Sequence, residues 1–213
     1  MYKHFFKRFI DIVVSLIALP FVALEIVVLA PFIYLTDKGP IFYNATRRGK
    51  NGKTFKMYKL RSMYVNSPVI KGADGSLYSG DNDPRVTKIG KVMRKLSLDE
   101  FPQFLNILKG DMSLIGPRPT IAGVPYEQLD DRRKKRLTVR PGVTGYAQAY
   151  YRNSISGEEK VRYDCEYVDN LTFLFDVKIV FRTVYSVLAS KNINTNAAEA
   201  TPAPVAEEAK VGE

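Results

Sequence analysis

Two adjacent acids, Asp99 and Glu100, stand in the run Ser97-Leu98-Asp99-Glu100-Phe101-Pro102-Gln103, ahead of a mostly apolar stretch. Acids in a first helical turn ordinarily serve the helix dipole. The same pair also suits covalent phosphoryl chemistry, in which one carboxylate attacks phosphorus while its neighbour helps hold a divalent cation. Neighbours on a helix point about 100° apart, so their roles would be unequal. Bases gather around them in sequence: Lys91, Arg94 and Lys95 before, Arg118 after. Gly116-Pro117-Arg118-Pro119 sets one guanidinium between two prolines. That arrangement fits either bidentate phosphate capture or an ordinary turn with a solvated arginine. Lys59 and Arg61, in Tyr58-Lys59-Leu60-Arg61-Ser62-Met63, alternate with apolar residues as in a strand, and serve either phosphate binding or edge solubility. A single histidine, His4, supplies neither a His-based metal cluster nor a Ser-His-Asp triad. Chemistry here rests on carboxylates, Lys and Arg.

Several elements must position these groups. Pro40–Tyr43 and Thr54–Tyr58 read as short strands about a turn at Lys50-Asn51-Gly52-Lys53. Residues 66–84 read as a loop. A helix is expected over Lys88–Arg94 and a second over Leu98–Lys109, stopped by Gly110. Ser97 followed by Glu100 has the pattern of a capping box. Residues 129–139, centred on a basic run from Arg132 to Arg136, read as an exposed helix. That run is either a solvated face or a patch for an anionic partner. Residues 163–189 form one further helical region with an apolar stripe, and 192–213, rich in Ala, Pro, Glu and Thr, read as a disordered tail.

The start of the chain is different. Phe9–Leu35 is overwhelmingly apolar, roughly 40 Å as a straight helix and enough to cross a hydrocarbon core of about 30 Å. No small-residue cleavage site follows a short apolar stretch, so the segment is read as retained. Pro20, Pro31 and Glu25 speak against a simple span. Lys3, Lys7 and Arg8 precede the segment, while Lys38, Arg47, Arg48, Lys50 and Lys53 follow it. Basic residues favour the cytoplasmic side, and a segment that enters, turns near Pro20 and leaves by the same face satisfies both flanks. A span and a buried hairpin are the alternatives.

Composition sets outer bounds. The 213 residues suit one domain with appendages, and 46% hydrophobic residues allow a core. The net charge of +10 implies an anionic partner: nucleic acid, acidic lipid or a phosphorylated substrate. One cysteine, Cys165, excludes an internal disulfide and reads as a half-buried filler. No zinc-finger spacing, phosphate-binding Gly-rich loop or dinucleotide fingerprint occurs. A nucleic-acid role leaves the apolar segment unexplained.

The motifs, taken together, resemble the bacterial sugar transferases, the small monotopic phosphoglycosyl transferases. The resemblance covers about residues 7–190. It rests on Lys7-Arg8 with Asp11, Gly39-Pro40-Ile41-Phe42, and Arg48-Gly49-Lys50-Asn51-Gly52-Lys53. It continues through Tyr58–Met63, Ser97–Gln103, Leu105–Pro119, Arg140-Pro141-Gly142-Val143-Thr144-Gly145-Tyr146-Ala147-Gln148 and Arg152–Ser156. That family commonly breaks its membrane helix at a Ser-Pro pair, whereas here Leu19 precedes Pro20; Phe101 replaces a frequent leucine, and Gly157 a frequent aromatic.

The resemblance implies a helix-rich α/β fold. A re-entrant membrane hairpin (1–38), broken at Pro20, would join a catalytic domain (39–191) on the cytosolic face of the bacterial cytoplasmic membrane. It implies transfer of a sugar-1-phosphate from a UDP-sugar to polyprenyl (undecaprenyl) phosphate, the first membrane step of glycoconjugate synthesis. Asp99 would be the nucleophile, giving an aspartyl phosphosugar and UMP. Asp99 and Glu100 would hold Mg²⁺, and Arg118, Arg94, Lys59 and Arg61 would hold phosphates. Membrane lipid is an expected partner, nucleic acid is not, and a homo-oligomer is compatible. The rival reading is a non-catalytic membrane scaffold in polysaccharide assembly, which would not need Asp99, Glu100 and Arg118 together.

Overall fold

The computed structural model describes residues 2–70, 83–151 and 154–188. The expected disordered tail lies outside the described residues, as does most of the expected loop over 66–84.

A π-helical turn, Tyr2–Phe6, leads into α1, Lys7–Asp37, which is helical throughout and long and apolar enough to cross a membrane. The expected break at Pro20 is not an interruption of helical structure. Pro20 and Pro31 each remove one backbone donor, leaving the carbonyls four residues earlier without that partner, but the remaining turns keep their bonds. One stripe of α1 is buried: Asp11, Ser15, Val22 and Ile33, with Ile26 and Leu29 packed beside Ile33. These positions recur at helical spacing, so a single face meets the rest of the fold. The other faces, including Phe9, Ile17, Phe21, Leu24, Val27 and Leu35, are exposed and apolar.

Both ends of α1 are fastened. At its start, Lys7 Nζ lies 2.6 Å from Asp176 Oδ2, which also accepts from Tyr2 Oη at 2.6 Å. Arg8 donates to the carbonyls of Ile107 and Leu108 at 2.6 and 2.9 Å. Asp11, only 2% exposed, accepts from Ser113 Oγ and Leu114 N at 3.0 and 2.9 Å. At the far end, Arg61 Nη2 donates to Ile33 O at 3.1 Å and Nη1 to Asp37 Oδ2 at 2.6 Å.

Beyond α1 the chain is a mixed domain. Strand β1 (Ala45–Arg48) pairs antiparallel with β2 (Thr54–Met57) across the expected Asn-Gly turn, where Asn51 and Gly52 both take positive φ. The first strand falls later than expected: Pro40–Tyr43 contributes an isolated bridge, Phe42 to Leu60. Next come α2 (Lys88–Leu96), a 3-10 turn at Leu98–Glu100, and α3 (Gln103–Lys109). Strand β3 (Ser113–Ile115) precedes β4 (Thr120–Ile121), which joins the outer edge of β1. After α4 (Asp131–Arg136), β5 (Gly142–Thr144) pairs parallel with β3. Helices α5 (Tyr146–Tyr151), α6 (Gly157–Asp169) and α7 (Phe173–Leu188) complete the described chain.

The helical region expected over 163–189 is made of two helices, α6 and α7. Asn170 caps the first, and Thr172 Oγ1 accepts from Phe175 N at the start of the second. Ile115, Val139, Ala149, Tyr167, Val168 and Ile179 form one core, and Met57, Ile107 and Met112 another. Ile33 of α1 closes a third with Leu60 and Met93, so the apolar helix shares a core with the domain. Tyr167 Oη ties these layers together by donating to Asp176 Oδ1 at 2.8 Å.

Candidate active site

The segment expected as one helix from Leu98 is divided, and the division shapes the site. Ser97 adopts a left-handed conformation (φ 59°) as the C-cap of α2, and its side chain caps nothing. The expected Ser97–Glu100 capping box does not form, because Glu100 is drawn to Arg118 and Lys59 instead. A capping box does form at Ser156 and Glu159, at the start of α6. Asp99 and Glu100 therefore sit on a tight 3-10 turn before Pro102 and α3, where successive side chains diverge by about 120°.

Asp99 is 2% exposed. Its backbone carbonyl accepts from Leu60 N at 2.9 Å, which sets the dyad beside the segment carrying Lys59. Lys59 Nζ lies 2.8 Å from Asp99 Oδ2 and 3.4 Å from Glu100 Oε1. The first contact is an ion pair without hydrogen-bond alignment, so Oδ2 is buried with no directed donor. Arg118 Nη2 reaches Glu100 Oε1 at 3.0 Å, from a side chain that is 56% exposed. Burial alone would raise the Glu100 carboxyl; the charges of Arg118 and Lys59, with their hydrogen bonds, outweigh it and pull its pKa down to about 2.

The backbone at Pro117 and Arg118 is held at both carbonyls. Gly142 N donates to Pro117 O at 3.0 Å, and Arg136 Nη2 donates to Arg118 O at 3.0 Å. Arg136 is itself fixed by buried Asp164 at 2.5 Å. Gly116 and Gly142 explain why both motifs need glycine: a Cβ on Gly142 would stand 2.1 Å from Gly116 N. Close backbone approach thus brings Gly116–Pro119 against Arg140–Thr144.

Not every predicted base turns toward the dyad. Lys59 and Arg118 meet it directly. Arg94 is part-buried, donates from Nε to Ser62 Oγ at 2.9 Å, and feels the charges of Asp99 and Glu100. Arg61 has other work. It is 6% exposed, and each of its three nitrogens has a protein partner: Pro40 O for Nε, Asp37 Oδ2 for Nη1, Ile33 O for Nη2. The structure thus engages Arg61, expected to hold phosphate, as a latch on the end of α1.

Three charged residues that sequence reasoning did not assign to the site come within its electrostatic reach. Arg47 on β1 feels Arg118 and Glu100, and Lys160 on α6 feels Arg118. Glu25 of α1 feels Asp99, and both of its carboxylate oxygens are shut from solvent without a hydrogen-bond partner. Glu25 was visible as a misplaced acid in an apolar run; nothing in the sequence placed it near enough to Asp99 to feel its charge. The basic run of α4 is spent elsewhere. Arg133 pairs with Asp130 and Glu158, Lys135 with Asp169, and Arg136 with Asp164. Cys165 is half-buried, its thiol donating to Arg132 O at 3.3 Å.

Among the described residues no cluster of three or more His, Cys, Asp or Glu side chains is placed to hold a metal. Two carboxylates are what Mg²⁺ commonly takes from a protein when substrate phosphates supply the rest, and the undirected Oδ2 of Asp99 beside Glu100 fits that pattern.

The bacterial sugar transferase family model matches residues 2–190. The chain belongs to that family. It is 40% identical over 196 residues to the galactosyl transferase CpsE of Streptococcus agalactiae serotype III (strain NEM316), covering 88% of this chain and 43% of that protein. It is 39% identical over 188 residues to the uncharacterized sugar transferase EpsL of Bacillus subtilis (strain 168), covering 88% and 89% respectively. It is 39% identical over 197 residues to the UDP-glucose:undecaprenyl-phosphate glucose-1-phosphate transferase of Escherichia coli (strain K12), covering 87% and 40%. The chain thus spans less than half of some relatives and nearly all of others.

Proposed function

We propose that this chain transfers a sugar-1-phosphate from a UDP-sugar to polyprenyl (undecaprenyl) phosphate by way of a covalent Asp99 intermediate, at the cytosolic face of a bacterial membrane. The observation that carries the proposal is Asp99 itself: a buried carboxylate, charge-balanced by Lys59, whose Oδ2 has no directed donor. A carboxylate oxygen that is not saturated with hydrogen bonds is free to act as a nucleophile. Relatives named for transfer to undecaprenyl phosphate supply the substrate class.

In the first step an oxygen of Asp99 attacks the sugar-bearing phosphorus. The bond from that phosphorus to the bridging oxygen breaks, and UMP leaves with the electron pair. In the second step a phosphate oxygen of the polyprenyl phosphate attacks the same phosphorus, the Asp99–phosphorus bond breaks, and the carboxylate returns. Both nucleophiles are anionic oxygens, so no proton must be removed and no histidine is needed. Arg118, half-exposed and held at the mouth by Glu100, would exchange that carboxylate for substrate phosphate, while Lys59 and Arg94 offset charge deeper in. Asp99 and Glu100 would hold Mg²⁺, which when bound compensates the diphosphate charge.

The anchoring of α1 supports a same-face arrangement. A 31-residue helix is roughly 46 Å long, enough to carry its ends to opposite sides of a 30 Å core. Here one domain grips both ends, through Asp176, Ser113, Leu114 and the α3 carbonyls at one and Arg61 at the other. A domain on one side of a membrane cannot hold both ends of a spanning helix. Asp11, Lys7 and Arg8 thereby acquire a physical role in keeping the apolar segment beside the domain.

The test is a pre-steady-state one. With UDP-sugar and Mg²⁺ but no lipid acceptor, wild type should release up to one UMP per active site in a burst, and intact-mass analysis should find sugar phosphate on the Asp99 peptide. Asp99→Asn should show neither while remaining folded. UMP that appears only when polyprenyl phosphate is present, with no adduct on rapid quench, would replace the two-step scheme by direct transfer.

A further inference from the structure

A second charged concavity lies away from Asp99, where α1 begins. It is a cavity of about 230 Å³ whose lining includes Lys3, Lys7, Arg8, Lys50 and Arg140, with Asp11 as its acid. None of the residues assigned to the dyad's site lines it. Asp99 precedes the first turn of α3, whereas Arg8 and Arg140 are bound to carbonyls at its end: Ile107, Leu108 and Gly110. The seven residues of α3 alone separate the two places by about 10 Å.

The charge there is oriented and only partly neutralised: five bases face one lining acid, Asp11, and the Asp176 partner of Lys7. Lys7 is paired with Asp176, and Asp11 spends one carboxylate oxygen on Ser113 and Leu114. Among the described residues Lys3, Arg8, Lys50 and Arg140 make no ion pair within 4.0 Å. Arg8 and Arg140 are fixed by neutral carbonyls and repel each other as like charges, with Asp11 offsetting part of that repulsion at Arg8. Holding like charges together around a cavity costs free energy that a bound anion would recover. Size narrows the anion: 230 Å³ falls below the range of about 300 Å³ and upward typical of small-molecule sites, so a nucleotide sugar is too large while a phosphate group fits. The surroundings point to where that phosphate comes from. Phe5, Phe6 and Phe9 are 66%, 47% and 58% exposed just along the chain, apolar rings beside basic residues as in helices that lie in a membrane interface.

We infer that this cavity is a separate phosphate-binding site, taking the phosphate of a lipid headgroup or a free phosphate and seating the start of α1 at the membrane surface. It would bind whatever the chemistry at Asp99.

The experiment is calorimetric titration of the full chain in neutral detergent, with dihexanoyl phosphatidylglycerol in one arm and inorganic phosphate in the other. Lys50→Gln is exposed and makes no side-chain bond, so it tests the site without threatening the fold; Arg140→Gln is its companion. Each should weaken binding about five-fold, the effect of one Lys or Arg near an anionic headgroup. Lys56→Gln, an exposed lysine outside the cavity, should change it less than two-fold, and Arg118→Ala should leave it in place. Tighter binding of the lipid than of phosphate identifies a headgroup, and the reverse identifies free phosphate; either supports the site. Absence of saturable binding, equal losses in Lys50→Gln and Lys56→Gln, or loss only in Arg118→Ala would overturn it.

Discussion

Glu100→Gln isolates the electrostatics that hold the mouth of the site together. The carboxyl stands at about 2 rather than its ordinary 4.5, because Arg118 and Lys59 overcome its burial. At about 1.4 kcal/mol for each tenfold in ionisation, that difference corresponds to about 3 kcal/mol favouring the folded state. Arg118 is half-exposed, so solvent screens its share, and about 1–3 kcal/mol is the appropriate range. The sign follows from the depressed pKa. The stabilisation is present above pH 4.5 and is lost as pH falls through the folded value near 2. Glutamine keeps the shape but not the charge, so at pH 7 the variant should be less stable by about 1–3 kcal/mol, a fall in Tm of roughly 5 °C. The decisive assay is denaturant unfolding of both proteins in detergent at several pH values. The gap between them should shrink as pH drops from 4.5 toward 2, since wild type then loses the charge the variant lacks. A gap that is constant across that window would refute the ion-pair account and assign Glu100 a packing role.

Arg118→Ala and Arg118→Lys should both lose turnover by about 30- to 1,000-fold, because lysine restores charge without the planar fork; near wild-type turnover in the lysine variant would show that bidentate geometry is not what matters. Arg61→Met removes a buried guanidinium from Ile33, Asp37 and Pro40, and should cost about 3–5 kcal/mol in unfolding free energy. If Arg61 instead held substrate, that variant would keep wild-type stability and show only a raised KM. In a Cys165-free background, single cysteines near residues 3 and 50 should label from the same side of sealed vesicles; opposite labelling would make α1 a span.

The sequence alone determined a good deal, because some physical signals are local. An apolar run with basic flanks on both sides is legible as a membrane segment. Asn51-Gly52 specifies its turn through the positive φ that both residues adopt. The ordered motifs were enough to place the chain in its family. What local signals could not supply is partner choice. Ser97 and Glu100 have the spacing of a capping box, yet two bases arriving from Lys59 and Arg118, 41 and 18 residues away in sequence, took Glu100 and left Ser97 to end α2 in a left-handed turn. Lys59 and Arg61 are equivalent by alternation. Tertiary packing gave one to Asp99 and the other to the end of α1. The same holds for Glu25, which the pattern shows only as a costly acid and which folding brings within electrostatic reach of Asp99. Charge sign and spacing are properties of the chain. Which opposite charge lies within 4 Å is decided by the three-dimensional fold, because Coulomb interactions act through space and ignore the order of residues.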